Sequence, residues 1–469
     1  MRKMTFGVIV GNRGFFPDSL AEEGREAILA VLKKNGYRTV CLTPKDSPFG
    51  TVESYAVAEK CAALFKKNAD KIDGIIVTLP NFGDEKGVAN ALRMSGLDMP
   101  VLIQATPDDA QKMGITQRRD SFCGKLSVCN NLRQYGIPFT LTQQHTEDVA
   151  SEAFIQDLHE FAAVCRVVKG LQCARIGAMG ARPASFNTVR YSEKLLEFEG
   201  IAVETIDLYE VFGQCDKLKQ SDPDVKQKLA EIQRYVPTKG VPKDALNKMA
   251  RFGVVTDRWM TEKGLNATAI QCWTAMEEYF GVVPCTVMSM LSNRLLPSAC
   301  EVDVTGALSM YALALASETP SALTDWNNNY ADNPDACVLF HCSNLPKDVF
   351  EDFEMKHQAI IAGAVGKDKT FGTCEGRIKN GPFTFARIAT DDIEGEIVAY
   401  TGEGMMTDDP LETFGGYGVA VIPGLQTLLE YMCRMGFEHH TAITCGCYAG
   451  ALAEAFDTYF NWDVYCHVG

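Results

Sequence analysis

Met4-Thr5-Phe6-Gly7-Val8-Ile9-Val10-Gly11-Asn12-Arg13-Gly14 opens the chain with a short β-branched run that breaks at a glycine, and this pattern then recurs. An apolar run of this length, ended by Gly-Asn-Arg-Gly, is too short for a helix and has the length of a buried strand. Runs at 39–42, 75–79 and 101–103 repeat it, separated by amphipathic stretches at 18–34, 52–67 and 85–94. Strand–helix alternation of this kind builds a parallel, doubly wound sheet whose ligands lie at the carboxyl ends of the strands. The loops expected there are Gly11-Asn12-Arg13-Gly14, Pro80-Asn81-Phe82 and Ala105-Thr106-Pro107.

A second unit follows the helical stretch at 147–168, with a strand at 175–178, a helix at 187–198 and a strand at 202–207. A polar stretch at 220–227 and the turn Thr238-Lys239-Gly240-Val241-Pro242 interrupt it, and helices are expected at 266–279 and 304–316. Beyond about Pro346 the texture changes to short strands bounded by glycine and proline, such as Gly381-Pro382-Phe383-Thr384-Phe385-Ala386-Arg387-Ile388 and Glu396-Ile397-Val398-Ala399-Tyr400. The expected fold is α/β: two Rossmann-like parallel-sheet domains, 1–168 and 169–345, followed by a β-rich, antiparallel barrel-like domain, 346–469.

Composition excludes several classes of function. With 469 residues, 46% hydrophobic and 22% charged, the chain is globular and long enough for roughly three domains. A net charge of −15 and a pI near 5.1 oppose nucleic-acid binding, which relies on clustered Lys and Arg. No apolar stretch reaches the ~20 residues needed to span a bilayer, and the charged start at Met1-Arg2-Lys3 runs into a strand without a cleavage site. The 17 cysteines, an odd number scattered along the whole chain, indicate a reducing cytoplasm and not a disulfide framework. Gly177-Ala178-Met179-Gly180 lacks the three-glycine dinucleotide spacing and no P-loop is present, so neither NAD nor ATP is expected. Cys445-Gly446-Cys447 with Cys466-His467 lacks a paired Cys-x-x-Cys and reads as free thiols before it reads as zinc ligands.

Chemistry concentrates in four short stretches: Ala299-Cys300-Glu301-Val302-Asp303, Thr324-Asp325-Trp326, Phe340-His341-Cys342 and Glu438-His439-His440-Thr441. Two carboxylates with one or two imidazoles suit Mn²⁺ or a related divalent ion, with an open position for substrate. A hydroxyl and a carbonyl on adjacent carbons can chelate such an ion, which acidifies the carbon-bound proton, and a carboxylate can then move that proton. Taken alone, His341 reads as a satisfied core histidine, and Asp303 as the N-cap of the helix that follows.

Further motifs run through the chain: Asn12-Arg13-Gly14-Phe15-Phe16-Pro17, Asp120-Ser121-Phe122-Cys123-Gly124-Lys125-Leu126-Ser127, Gly180-Ala181-Arg182-Pro183, Asn187-Thr188-Val189-Arg190-Tyr191-Ser192-Glu193-Lys194 and Ala269-Ile270-Gln271-Cys272-Trp273. Through these, together with the acidic and His-His motifs, the chain resembles the L-fucose isomerase and L-arabinose isomerase superfamily. It implies an Mn²⁺ ion, with Co²⁺ or Mg²⁺ as weaker substitutes, held by Glu301, Asp325 and His440, with His439 as the alternative imidazole. Asp325 lies 24 positions beyond Glu301, as in the fucose branch, and His341 stands where the arabinose branch adds a histidine. Glu301 and Asp325 are then also the catalytic acid/base pair.

For substrate binding the resemblance points to Arg13, reaching sugar hydroxyls in a neighbouring subunit's site, with a loop-fixing salt bridge as the other reading. Gln271 and Trp273 are expected on a helix and on different faces, Trp273 either stacking on a sugar or packing between domains; His341 completes the set. The implied protein is a cytoplasmic homo-oligomer, a hexamer, that interconverts a free aldose and its ketose through a cis-enediol. A sulfoquinovose isomerase, with Arg118, Arg119 and Lys125 meeting the sulfonate, and a D- or L-arabinose isomerase are the alternatives within the superfamily. A non-catalytic sugar-binding protein is the alternative outside it.

Overall fold

The computed structural model describes residues 3–468, which leaves Met1, Arg2 and Gly469 outside the described residues. The chain forms two compact units, one running up to Lys169 and rejoined by Thr458–Asn461, the other made of Gly170–Asp457 and the segment from Trp462 onward.

The first unit is built on β1 (Thr5–Val10), β2 (Arg38–Cys41), β3 (Gly74–Leu79), β4 (Val101–Ala105) and β5 (Thr140–Leu141), in the order β2-β1-β3-β4-β5 with every pair parallel. Strands β1, β3 and β4 are buried at every residue, which is why they read as unbroken apolar runs and not as alternating ones. The strand order reverses between β1 and β3, so the loops beginning at Gly11 and Pro80 flank the topological switch point. Buried Asn12 links them, accepting a hydrogen bond from Asn81 Nδ2 at 2.7 Å and donating one to Glu53 Oε2 at 2.7 Å.

The second unit holds a parallel sheet of β6 (Arg175–Met179), β7 (Ala202–Ile206), β8 (Ala267–Ile270) and β9 (Ser298–Cys300), in the order β7-β6-β8-β9. The helix expected over 266–279 is instead β8 followed by a loop and a π-helical turn, Met276–Phe280. Ala267–Ile270 is buried throughout, and a fully buried strand has no alternation to separate it from a helix segment. Two helices, Pro223–Tyr235 and Lys243–Lys263, occupy the region whose polar residues and turn signals suggested an interruption. Pro223 and Pro242 stand at their starts, where a missing N–H costs nothing.

The large sheet comprises β10 (Ser321–Asn329), β11 (Ala336–His341), β12 (Phe350–His357), β13 (Phe371–Ile378), β14 (Gly381–Asp391), β15 (Glu396–Thr407), β16 (Gly416–Val421), β17 (His440–Cys445) and β18 (Asp463–His467). Because β16 pairs with both β11 and β15, the circuit β16-β11-β10-β17-β14-β15 closes into an antiparallel barrel. Parallel pairings of β13 with β16 and of β15 with β18 extend it into a mixed sheet. Strands β10 and β11 precede Pro346, so Asp325 and His341 stand on this sheet. The helix Val304–Ser317 is buried almost all round because it packs against both the barrel and the second parallel sheet. No helix among the described residues is long and apolar enough to cross a membrane.

Candidate metal centre

Glu301 follows directly from the end of β9, where Glu301 and Val302 take left-handed backbone conformations (φ 62° and 58°). Consecutive non-glycine residues in that region are held there by their surroundings, and such conformations cluster at functional sites. Asp325 lies on β10 opposite Phe340 of β11 on one side and opposite His440 of β17 on the other. Barrel pairing thus delivers Asp325, His341 and His440 to one place, and the second parallel sheet delivers Glu301 to them.

The donor atoms converge. His440 Nε2 lies 3.1 Å from Glu301 Oε2 and 3.5 Å from Asp325 Oδ1, and His439 Nε2 lies 3.7 Å from the same Asp325 oxygen. Ligand atoms of Glu301, His341 and His440 all fall within 4.8 Å of one another, as do those of Asp325, His439 and His440. His341 and His440 are buried, whereas the His439 side chain is 42% exposed, so His440 is the inward imidazole of the pair. Despite these short distances, Glu301 Oε2 and Asp325 Oδ1 are buried without an aligned hydrogen bond. Buried carboxylate oxygens left in this state need a cation or water to offset their lost hydration. Two groups that share His440, one with Glu301 and His341 and one with Asp325 and His439, each combine a carboxylate oxygen with imidazole nitrogens, the donor types of a hard-to-borderline divalent ion such as Mn²⁺.

A second layer fixes the first. The indole Nε1 of Trp273 donates to Glu301 Oε1 at 2.8 Å, and Phe186 sets its ring edge-on to Trp273 and His439. His440 Nδ1 meets Asp303 Oδ2 at 2.8 Å, the carboxylate–histidine pairing that orients metal-binding imidazoles. Asp303 does cap its helix, accepting from Gly306 N at 2.8 Å, so one carboxylate serves both purposes. Fully buried Arg387 clamps it from behind, with Nη1 to Oδ2 at 2.6 Å and Nη2 to Oδ1 at 3.0 Å, and Nη2 lies 3.0 Å from Glu438 Oε1. The signals for this clamp were an arginine inside the apolar run 383–388 and a glutamate directly before His439-His440.

Electrostatics agree with the geometry. Burial pushes the Glu301 carboxyl up, but His440, His341 and the Trp273 donor outweigh it and leave the group below its usual range. Burial likewise opposes charge on Asp303, and Arg387 and His440 reverse this, holding Asp303 well below the usual carboxylate range. Burial pulls the His440 imidazole down, whereas Asp303 and Glu301 drive it up to about 10. His341 is raised to about 9 against its own burial, chiefly by Cys342. Without a cation this cluster gathers protons, and a divalent ion would displace them.

The remaining expected site residues lie elsewhere or have other partners. Gln271, just past β8, accepts the backbone N–H of Ala181 at 2.9 Å and so fixes the loop after β6. The expected helix under Gln271 and Trp273 is absent, and Trp273 acts on Glu301 directly. Arg13 belongs to the first unit, where its guanidinium binds Gly83 O at 2.9 Å, pairs with Glu85 and lies over the Phe82 ring. In the same unit Arg118 pairs with Asp120 at 2.6 Å, Arg119 binds Pro80 O at 2.8 Å and buried Lys125 binds Thr142 at 2.7 Å.

Comparison with known proteins identifies the family. Residues 7–172 match the family model "Fucose/sulfoquinovose isomerase, N-terminal domain", and residues 339–467 match "L-fucose isomerase, C-terminal domain". The chain is 24% identical over 397 residues to the sulfoquinovose isomerase of Priestia aryabhattai, covering 83% of this chain and 85% of that protein. It is 24% identical over 381 residues to that of Alkalicoccus urumqiensis, covering 79% and 81%. It is 29% identical over 196 residues to that of Clostridium sp. (strain MSTE9), covering 41% and 43%. With motifs, fold and both family models in agreement, the chain belongs to the fucose isomerase-like superfamily of sugar isomerases.

Proposed function

We propose that this sugar isomerase is a Mn²⁺-dependent aldose–ketose isomerase working through a cis-enediol. Glu301, Asp325 and His440 would hold the ion, with His341 beside them, and Glu301 and Asp325 would move the proton between C1 and C2. The observation that carries this reading is the convergence of two buried carboxylate oxygens without aligned hydrogen bonds on His440 Nε2. When bound, the ion supplies the positive charge that acidifies the hydrogen next to the sugar carbonyl.

The chain's own residues supply the rest. Trp273 ties down Oε1 of Glu301 and so fixes the orientation of the carboxylate that would face the ion and the sugar. Asp303 and Arg387 keep the His440 ring from turning. Phe186, against the rings of His439 and His440, narrows the access of water to this corner. We take the working form to be a cytoplasmic homo-oligomer, a hexamer by resemblance, in which Arg13 serves a neighbour's site.

Sulfoquinovose is the first aldose to test, since the curated relatives carry that name. The test is a screen of sulfoquinovose, L-fucose, D-arabinose and L-arabinose with protein stripped by chelator and then resupplied with metal. Ketose formation should vanish on stripping and return best with Mn²⁺, less well with Co²⁺ or Mg²⁺. Full turnover by rigorously metal-free protein would overturn the assignment, and tight sugar binding without turnover would favour a receptor.

A further inference from the structure

The two buried imidazoles of the centre are supported from behind by different chemistry. His440 has the Asp303 carboxylate on its Nδ1 at 2.8 Å. His341 has a sulfur: Cys342 Sγ lies 3.8 Å from His341 Nδ1. Side chains of adjacent strand residues point to opposite faces, so such a pairing needs the strand to stop between them. It does, because β11 ends at His341 and the chain bends at Cys342 and Ser343.

Cys342 is itself held. It neighbours Cys300, which in turn neighbours Cys272 and Cys285, so a row of thiols, buried at Cys272, Cys285 and Cys300 and half-buried at Cys342, runs behind the centre. Cys300 directly precedes Glu301, and the row therefore connects the backbone of one donor to the ring of another. With Nδ1 engaged by sulfur, His341 has only Nε2 to offer towards Glu301 and His440.

We propose that Cys342 is the positioning residue of His341, the sulfur counterpart of Asp303 behind His440. This inference rests on the metal reading of the site. A partner of this kind typically changes metal affinity about 10- to 100-fold when removed. A cysteine that merely fills space would be replaced by valine without such an effect.

The experiment is a titration with Mn²⁺ alone, followed by the electron paramagnetic resonance signal of the free ion, on full-length wild type, Cys342→Val, Cys342→Ser and His341→Gln. Cys342→Val keeps volume and loses the polar contact, so Mn²⁺ affinity should fall about tenfold or more. Cys342→Ser, which restores a donor and acceptor, should recover part of the loss. In the His341→Gln background, Cys342→Val should add nothing further, because the ring it acts on is gone. Wild-type affinity in Cys342→Val, or an undiminished further loss in the double variant, overturns the inference and leaves the metal centre standing. Failure of the wild type to bind Mn²⁺ removes the metal reading itself, and this inference with it.

Discussion

Glu301 and Asp303 stand two residues apart and act on opposite nitrogens of one histidine. Glu301→Gln keeps size and shape but offers neither a base nor a full negative charge. The variant should keep the wild-type circular dichroism spectrum and lose turnover by at least about a hundredfold, within the usual contribution of a general base. Asp303→Asn should behave differently. It leaves Arg387, which has no exposure to solvent, facing Glu438 alone, and breaking a buried ion pair costs about 3–5 kcal/mol. A clear fall in melting temperature together with weaker Mn²⁺ binding is expected; an unchanged melting temperature would show that the clamp is not structural. The proton itself can also be followed. If Glu301 or Asp325 carries it, reaction in D₂O should place deuterium at C1 of the ketose or C2 of the aldose, whereas complete direct transfer of the C2 hydrogen would argue for a hydride shift.

At the scale of elements, the helix Val304–Ser317 carries a test of how tightly the second layer is built. Replacing a helix glycine by alanine ordinarily stabilises by up to about 1 kcal/mol. At Gly306 the sign should invert, because an added Cβ would lie 2.3 Å from Asp303 Oδ2 and 2.9 Å from Arg387 Nη1. Gly306→Ala should therefore lower both the melting temperature and Mn²⁺ affinity, and a stabilised variant would refute the close packing of cap and clamp. Glu301, Asp325 and His440 were legible in the sequence because each sits inside a motif of several residues. Beyond the cap that Asp303 forms, the ion pairs of Arg387 with Asp303 and Glu438 were not, since a buried arginine and a nearby glutamate in the sequence name no partners, and these lie 84 and 51 positions from the arginine. Trp273 was legible as a site residue, but its action was not, because it was expected to stack on a sugar or pack between domains and instead donates its indole N–H to Glu301.

Across the whole molecule, the first parallel sheet was the most legible part, since β1, β3 and β4 are buried on both faces and punctuated at their ends. The barrel-like character of the last region was legible too, but the strands that close it were not, because closure depends on β16 pairing with β11 and with β15, and no local pattern encodes a contact between distant strands. Also hidden was Glu277, in the turn between β8 and β9, which has no exposure and whose two carboxyl oxygens lack hydrogen-bond partners. Burial pushes it from an ordinary value of 4.5 up to about 8, so the folded protein keeps it neutral at pH 7. A carboxyl raised by folding contributes stability that is full below the unfolded value and is lost as pH rises through the folded one. Wild-type stability should therefore decline between about pH 4.5 and 8 by an amount of order 4 kcal/mol from this group alone, at 1.36 kcal/mol per unit. Glu277→Gln cannot ionise, and whatever constant cost or gain its amide brings is independent of pH. The difference in melting temperature, variant minus wild type, should therefore climb steadily from pH 5 to pH 8 and level off above it. Parallel profiles for the two proteins would mean that Glu277 ionises as an exposed glutamate does, with water reaching it in the folded state.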